Sequence, residues 1–236
     1  MKTSKDGRCQ FDPKWNSFQL AESGKRLRSW SKLIKQFTVP VDSERLAINY
    51  AAKNNMQVAD VLAMWAKKAD ESRARGTSIH AIFDAYAQTK HCPLPNTATE
   101  VVAVKFIKDF FETNRLVPVE SELIAYNEEY DCATLIDCVV RDRSGLHYII
   151  DWKTDAVIKN QNYGRYMLPP FNMLPDHPLM QHELQLNFCK QLCVDYQIKG
   201  MYIGHIADTG YRLLPVQDME LNLASFCTAP QVDLPF

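Results

Sequence analysis

The sequence predicts an α/β fold in which a central mixed β-sheet is flanked by helices, with an N-terminal helical region. Apolar residues recur at helical spacing up to about residue 114, and from about residue 117 they alternate as in strands. A chain of 236 residues with 46% apolar and 23% charged side chains suits one substantial core. We therefore expect one structural domain, with residues 1–70 as a basic arm and helical region packed on a core of residues 71–236.

The arm stands out by its charge. Residues 1–40 hold nine Lys or Arg against three acids, so this segment carries +6 within a chain of net charge −1. Basic side chains interleaved with aromatic ones can contact phosphates and stack on bases, and a solvated surface anchored by its aromatics explains the same composition equally well. The aromatic residues of the arm considered for stacking are Trp15, Phe18, Trp30 and Phe37. The basic residues nominated for contact with phosphates are Lys25, Arg26 and Arg28.

Three helices are predicted to follow the arm, over residues 43–70, 72–88 and 97–114. Asp42 or Ser43 is the expected N-cap of the first. The third opens with Thr97 or Thr99 near Glu100, which resembles a capping box.

The strand pattern then predicts a meander, a helix and two more strands. The meander strands are expected over 117–126, 132–142 and 146–154, the helix over 182–196, and the last strands over 200–207 and 211–217. The intervening segment 156–180 is rich in Pro and Asn and too long for an idle loop, so we expect it to approach a substrate. Tyr163, Arg165 and Tyr166 would stack on and clamp a single strand there, or simply pack on the surface.

Acidic residues on the meander carry the predicted chemistry. Alternation along the stretch IIDWKTD, residues 149–155, places Asp151 and Lys153 on one face. Asp137 lies in an apolar stretch, where a carboxylate needs a compensating partner, and the neighbouring strand brings Asp151 beside it. Two adjacent carboxylates favour Mg²⁺ or Mn²⁺, and the Lys153 ammonium would stabilise charge growing on a phosphate. A surface ion pair between Asp151 and Lys153 is the alternative.

Five short motifs in this order resemble the RecB-like branch of the PD-(D/E)XK nuclease superfamily, which includes exonucleases of phages, CRISPR systems and mitochondria. The likeness covers about residues 76–203. The matching motifs are GTSIH at 76–80, VES at 119–121, Asp137, DWK at 151–153 and Gln185 within HELQLNF. It implies a restriction-endonuclease-like core and a Mg²⁺-dependent deoxyribonuclease, more an exonuclease than an endonuclease, acting in DNA replication, recombination or repair.

The resemblance also implies roles for single residues. His80, Asp137 and Asp151 would hold Mg²⁺, or Mn²⁺, together with the carbonyl of Trp152. Lys153 would orient or activate the water.

Two further positions of the branch's motifs follow in the same way. Glu120 would be the acidic-strand residue, with Glu122 as the alternative, and Gln185 would position Lys153 or the scissile phosphate. Cys189 stands where the branch carries a tyrosine, and Ala133 stands where it usually carries a glycine.

The expected partner is DNA, single-stranded or with a free end. The alternative is a catalytically silent nuclease-fold module that binds DNA or serves assembly.

The seven cysteines are scattered and odd in number, which favours free thiols, and no iron–sulfur cluster is expected. A cluster on Cys9, Cys189, Cys193 and Cys227 is the less favoured reading. The sequence has neither a run of about 18 apolar residues nor an apolar signal core at its start. We expect neither a membrane span nor secretion, and place the protein inside a cell, in the cytoplasm of a bacterial or phage-infected cell or in a DNA-containing compartment.

Overall fold

A computed structural model describes residues 1–113 and 115–228 and contains a nine-stranded mixed β-sheet with helices on its faces, which confirms the predicted α/β class. The strands are β1 (Lys2–Thr3), β2 (Cys9–Asp12), β3 (Ser17–Leu20), β4 (Arg26–Ser29), β5 (Leu116–Asn127), β6 (Cys132–Asp142), β7 (His147–Lys153), β8 (Ile198–Ala207) and β9 (Gly210–Val216). The α-helices are α1 (Trp30–Leu33), α2 (Ser43–Asn54), α3 (Val58–Thr89), α4 (Ala98–Phe106), α5 (Pro178–Leu192) and α6 (Leu223–Thr228).

The N-terminal arm is a β-meander, so the expectation that helices precede all the strands was wrong. Strands β1 to β4 pair antiparallel in sequence, and β4 then pairs parallel with β6. Phe11 and Phe18 face each other across β2 and β3 and pack on Ala133 of β6. The alternation of buried side chains along these strands is the same signal that identifies β5 to β7, but each strand is only two to four residues long.

The helices of residues 43–89 are divided at a different place from the predicted one. Asp42 caps α2 as expected, because its side chain accepts a hydrogen bond from the Arg45 backbone N–H. Asn55 ends α2 in the left-handed conformation at φ 52°, and α3 then continues for 32 residues through the predicted break at 71. An asparagine tolerates that conformation, whereas nothing between 58 and 89 forbids a helix.

The remaining elements follow the predictions within a few residues. Thr97 caps α4 in a capping box with Glu100. A π-helical turn, Ile107–Glu112, continues the helix toward β5. Strands β5 to β9 match the predicted ranges to within two residues. Helix α5 begins four residues before its predicted start, at Pro178, because the His177 side chain caps it by accepting from the Met180 N–H.

The sheet separates two apolar layers. Helix α5 packs its Leu184, Leu186 and Phe188 against one face, and helices α3 and α4 pack on the other through residues such as Ile79 and Phe106. The order of paired strands is β4, β6, β7, β8, β9, and β5 also pairs with β6. The ends of β6 and β7 therefore lie between two helical layers, where side chains from both can converge. Within the described residues, no helix is both long and apolar enough to cross a membrane.

Candidate metal centre

The end of β7 places an acid and a lysine together on the face toward α5. Asp151 is only 2% exposed, and its carboxylate forms an ion pair with the Lys153 ammonium. Lys153 Nζ also donates a hydrogen bond to Gln185 Oε1 on α5 at 3.2 Å. Asp151 and Lys153 thus lie on one face of β7, and the pair is largely buried, with side-chain exposures of 3% and 16%.

Three potential ligands converge next to this pair. His80, Glu122 and Asp137 each offer an atom within 4.8 Å of the others. His80 Nδ1 lies 3.7 Å from Glu122 Oε1 and 3.7 Å from Asp137 Oδ2. The Trp152 carbonyl oxygen lies 3.3 Å from His80 Nε2, and the Trp152 backbone N–H donates to Asp137 Oδ2 at 2.8 Å.

Packing beneath the cluster fixes the orientation of these groups. Ile79 and Phe83 of α3 are buried against the sheet, so His80 between them turns toward Asp137 in the middle of β6. Phe83 stacks on Trp152 with ring centroids 3.7 Å apart and planes 6° from parallel. Gly204 of β8 makes room for the Trp152 ring, because a methyl group at this position would overlap it. The Trp152 carbonyl is thereby held at the cluster.

Glu122, and not Glu120, is the acidic-strand residue of the cluster. Glu120 is held elsewhere, since it pairs with Lys5 and accepts a hydrogen bond from Tyr196 Oη at 2.6 Å. The left-handed backbone of Glu122, at φ 53°, breaks the alternation that would send both side chains to one face. The sequence VESELI contains no glycine or proline that would predict a left-handed residue within the strand.

The ionisable side chains of the site shift one another's pKa values. Burial and the neighbouring Asp151 carboxylate raise the pKa of Asp137 to about 7. Burial opposes protonation of His80, but Asp137, Glu122 and Asp151 outweigh it and raise the His80 pKa to about 9. Burial likewise disfavours the Lys153 ammonium, yet Asp151 and Asp137 outweigh it and raise the Lys153 pKa. In the metal-free protein near pH 7, a proton on His80 therefore balances part of the negative charge.

This donor set fits a divalent cation. Two carboxylates, an imidazole nitrogen and a backbone carbonyl are ligands for Mn²⁺ and, with added waters, for Mg²⁺. The raised pKa of the largely buried Asp137 shows that its neighbours do not fully stabilise the ionised carboxylate. A bound cation would supply the missing positive charge in place of the His80 proton. Asp151, predicted as a direct ligand, lies beside this triad and is paired with Lys153.

The cluster opens into a cleft. A cavity of about 620 Å³ is lined by His80 and Glu122 together with Lys2, Phe11 and Asn16 of the N-terminal meander. A smaller cavity of about 190 Å³ reaches Asp137 and Gln185 and shares Phe11, Asn16 and Leu135 with the first. The meander and α3 therefore form the walls of the cleft.

The three basic residues nominated from the arm lie away from the cluster. Lys25 pairs with Asp131, which precedes Asp137 by six residues, about 20 Å along a strand. Arg28 is also occupied, because its guanidinium donates to the backbone carbonyls of Tyr130 and Cys227. Arg26 is exposed at the same end of β4, so none of these residues lines the cleft.

In the long loop, Arg165 contacts other parts of the chain, whereas the sequence predicted that it would clamp a substrate strand or pack on the surface. Arg165 donates to the Val39 carbonyl at 2.9 Å and forms an ion pair with Asp176 at 3.0 Å, so it ties the loop to the chain instead of offering a free clamp. Tyr163 and Tyr166 are exposed, as a stacking role requires. Tyr166 is held by a backbone bridge to Pro175.

Two residues at the site were missed by sequence reasoning. Lys2 places its ammonium 3.2 Å from Glu122 Oε2, and its position in a charged N-terminal stretch gave no signal. His182, one turn before Gln185 on α5, is neutral near pH 7, because burial and the Lys153 ammonium lower its pKa to about 4. Its spacing of three residues from Gln185 was a usable signal, since i and i+3 share a helix face.

The cysteines are distributed through the core. All seven are free, and six of them are buried. Cys189, at the position where the resembling branch has a tyrosine, is buried against Thr134 with Sγ 3.6 Å from its hydroxyl oxygen. Cys189 therefore does not take the place of an aromatic group in the cleft.

The comparisons with known proteins give a remote likeness. No protein-family model and no curated protein matches this chain. Among solved structures, it is similar to the crystal structure of SSO0001 at 14% identity, over 85% of this chain and 70% of that chain, with a TM-score of 0.38. At this TM-score the shared structure does not inform the function.

Proposed function

We propose that this protein is a Mg²⁺-dependent deoxyribonuclease of the PD-(D/E)XK type that removes nucleotides from DNA ends. One observation carries the proposal: His80, Glu122 and Asp137 converge within 4.8 Å beside a largely buried lysine that Asp151 and Gln185 hold in place. Surface ion pairs are dispersed and solvated, whereas this lysine contacts Gln185, which lines the same cavity as Asp137.

Each residue then has a chemical role. His80, Glu122, Asp137 and the Trp152 carbonyl would hold the cation, which supplies positive charge for the phosphate and lowers the pKa of water. Lys153 retains its proton and contacts Gln185, so it would orient the attacking water and stabilise charge on the scissile phosphate. Gln185 and Asp151 fix the position of the lysine through the hydrogen bond and the ion pair.

The test uses end-labelled linear single-stranded and double-stranded DNA and a closed circle, each with Mg²⁺, with Mn²⁺ and with chelator. We expect metal-dependent shortening of linear DNA, lost in Lys153→Ala and in Asp137→Asn. Lys199→Ala, at an exposed lysine of β8, is the matched control and should cut normally. Cutting of the closed circle would make the protein an endonuclease, and an intact linear substrate in every metal would reject the nuclease.

A second candidate is a DNA-binding or assembly module with the nuclease fold but no catalysis. The observation in its favour is that the chain's own cations already neutralise the acids, with Lys2 on Glu122 and Lys153 on Asp151. This candidate predicts DNA binding that is unchanged by chelator and unaccompanied by cleavage. Mn²⁺ binding by the purified protein, lost in Asp137→Asn, would count against it.

A further inference from the structure

We propose that the turn joining β2 and β3, residues 13–16, is a stacking site for an unpaired base of a DNA strand lying in the cleft. The stacking surface is the indole ring of Trp15, and the ligand is a nucleobase in single-stranded DNA. The proposal rests on the proposed nuclease function for its substrate class, but it concerns binding and is tested without cleavage.

Trp15 is the exception among the aromatic residues of the arm. Its side chain is 69% exposed, whereas Phe18, Trp30 and Phe37 are buried in the core. Burying a tryptophan is strongly favourable, so an open indole face on an ordered turn is a surface available to a flat apolar ligand. Of the aromatic residues of the arm that were considered for stacking on bases, Trp15 is therefore the one with an exposed ring.

The backbone of the turn that carries Trp15 has a defined conformation. The Lys14 backbone N–H donates to Asp12 Oδ1 at 2.9 Å, and Asn16 adopts a left-handed φ of 44° that closes the hairpin. Beneath the turn, the Phe11 and Phe18 rings pack with centroids 4.7 Å apart. Since the turn is already ordered, a ligand that stacks on it loses little of its binding energy to ordering the protein.

The location ties the turn to the candidate metal centre. Asn16, the residue directly after Trp15, lines the cleft that contains His80 and Glu122, and it also lines the cavity that contains Asp137. Consecutive Cα atoms are about 3.8 Å apart, so the backbone of Trp15 lies next to a residue of the cleft lining. A strand with a phosphate at the metal centre would pass its neighbouring nucleotides beside the turn.

The charges around the turn match a nucleotide. Lys14 Nζ lies over one face of the Trp15 ring, 5.0 Å from its centroid, so a base would stack on the opposite face and have this positive charge close by. Lys2 contributes a second ammonium inside the cleft, against Glu122. An aromatic face beside lysines favours a base with its phosphate over an uncharged apolar ligand.

The same geometry selects single strands. Stacking needs a base with an open face, and inside a duplex both faces of each base are covered by neighbouring pairs. A duplex would reach Trp15 only after its end frays. We therefore infer that the protein binds single-stranded DNA more tightly than a blunt duplex of equal length.

Binding is measured in chelator, where no cleavage occurs, so the result does not depend on catalysis. Fluorescently labelled oligo(dT), the same length of abasic strand and a blunt duplex are titrated with the full chain by anisotropy. We expect oligo(dT) to bind more tightly than the abasic strand and the duplex. Trp15→Ala should weaken oligo(dT) binding about 5-fold to 100-fold, and Trp15→Phe should restore most of it.

Two controls separate stacking from a general defect. Leu94→Ala removes another exposed apolar side chain and should bind as the wild type does. Thermal unfolding of Trp15→Ala should match the wild type, since the indole contributes little to the core. Equal binding of oligo(dT) and the abasic strand, equal binding by Trp15→Ala, or absence of binding to all three ligands would overturn the proposal, whether or not the protein cuts DNA.

Discussion

Glu120 and Glu122 differ in their neighbours, and this difference gives a matched test of the metal centre. We expect Glu122→Gln to weaken Mn²⁺ binding at least about tenfold, because a carboxylate within reach of His80 and Asp137 is lost. Glu120→Gln should leave Mn²⁺ affinity unchanged, since that side chain pairs with Lys5 and Tyr196. Isothermal titration with Mn²⁺ measures both variants. The reverse order of effects would show that the ligand is Glu120.

The protons on the same residues make metal binding dependent on pH. His80 has a pKa of about 9 and Asp137 a pKa of about 7, so at pH 6 the metal-free protein holds protons that a cation must displace. As pH rises these protons dissociate and the ligands become available, so Mn²⁺ affinity should increase between pH 6 and pH 9. Titrations across this range provide the measurement, and an affinity that falls or stays constant would contradict it.

At the scale of elements, two glycines differ in the space available for a methyl group. A methyl group at Gly204 of β8 would overlap the Trp152 ring, whereas at Gly76 of α3 it would make an ordinary contact, 3.6 Å from Thr154 Oγ1. We expect Gly204→Ala to destabilise the protein by about 1–3 kcal/mol through overpacking. Gly76→Ala should stabilise it by about 0.5–1 kcal/mol, because alanine favours a helix.

Urea unfolding measures both substitutions. The Gly76→Ala variant serves as the control for adding a methyl group near the same site, since the two changes differ in what the methyl group meets. If Gly204→Ala were as stable as the wild type, the Trp152 ring would not be held against β8 as the structure describes.

The sequence predicts elements best where their signals are long. Strands β5 to β9, and helix α4 together with the π-helical turn that continues it, carry patterns of several residues and appear within a few residues of the expected bounds. Strands β1 to β4 are too short for a reliable period, and the predicted break near residue 71 had no residue to enforce it. In the site, Asp151, Lys153 and His80 follow from motif and alternation. Glu122 does not, because a local left-handed backbone decides it.

At the scale of the molecule, the meander and the core share one structure. Strand β4 pairs with β6, Arg28 donates to carbonyls of Tyr130 and Cys227, and Leu27 is buried with Ile124 of β5. Strand pairing, hydrogen bonds and apolar packing therefore join the N-terminal meander to the core. The tight connection matters for the site, since the meander forms a wall of the cleft.

This connection predicts a single cooperative unfolding transition for the meander and the core. Leu27→Ala removes a side chain that is 3% exposed and should lower the free energy of unfolding by about 2–4 kcal/mol. Because β4 is paired with β6, the loss should shift the whole transition, so tryptophan fluorescence and far-ultraviolet circular dichroism should move together in urea. Val194→Ala, at an exposed position, should leave the transition in place. An early phase confined to fluorescence would show that the meander unfolds separately and that the cleft wall opens without the core.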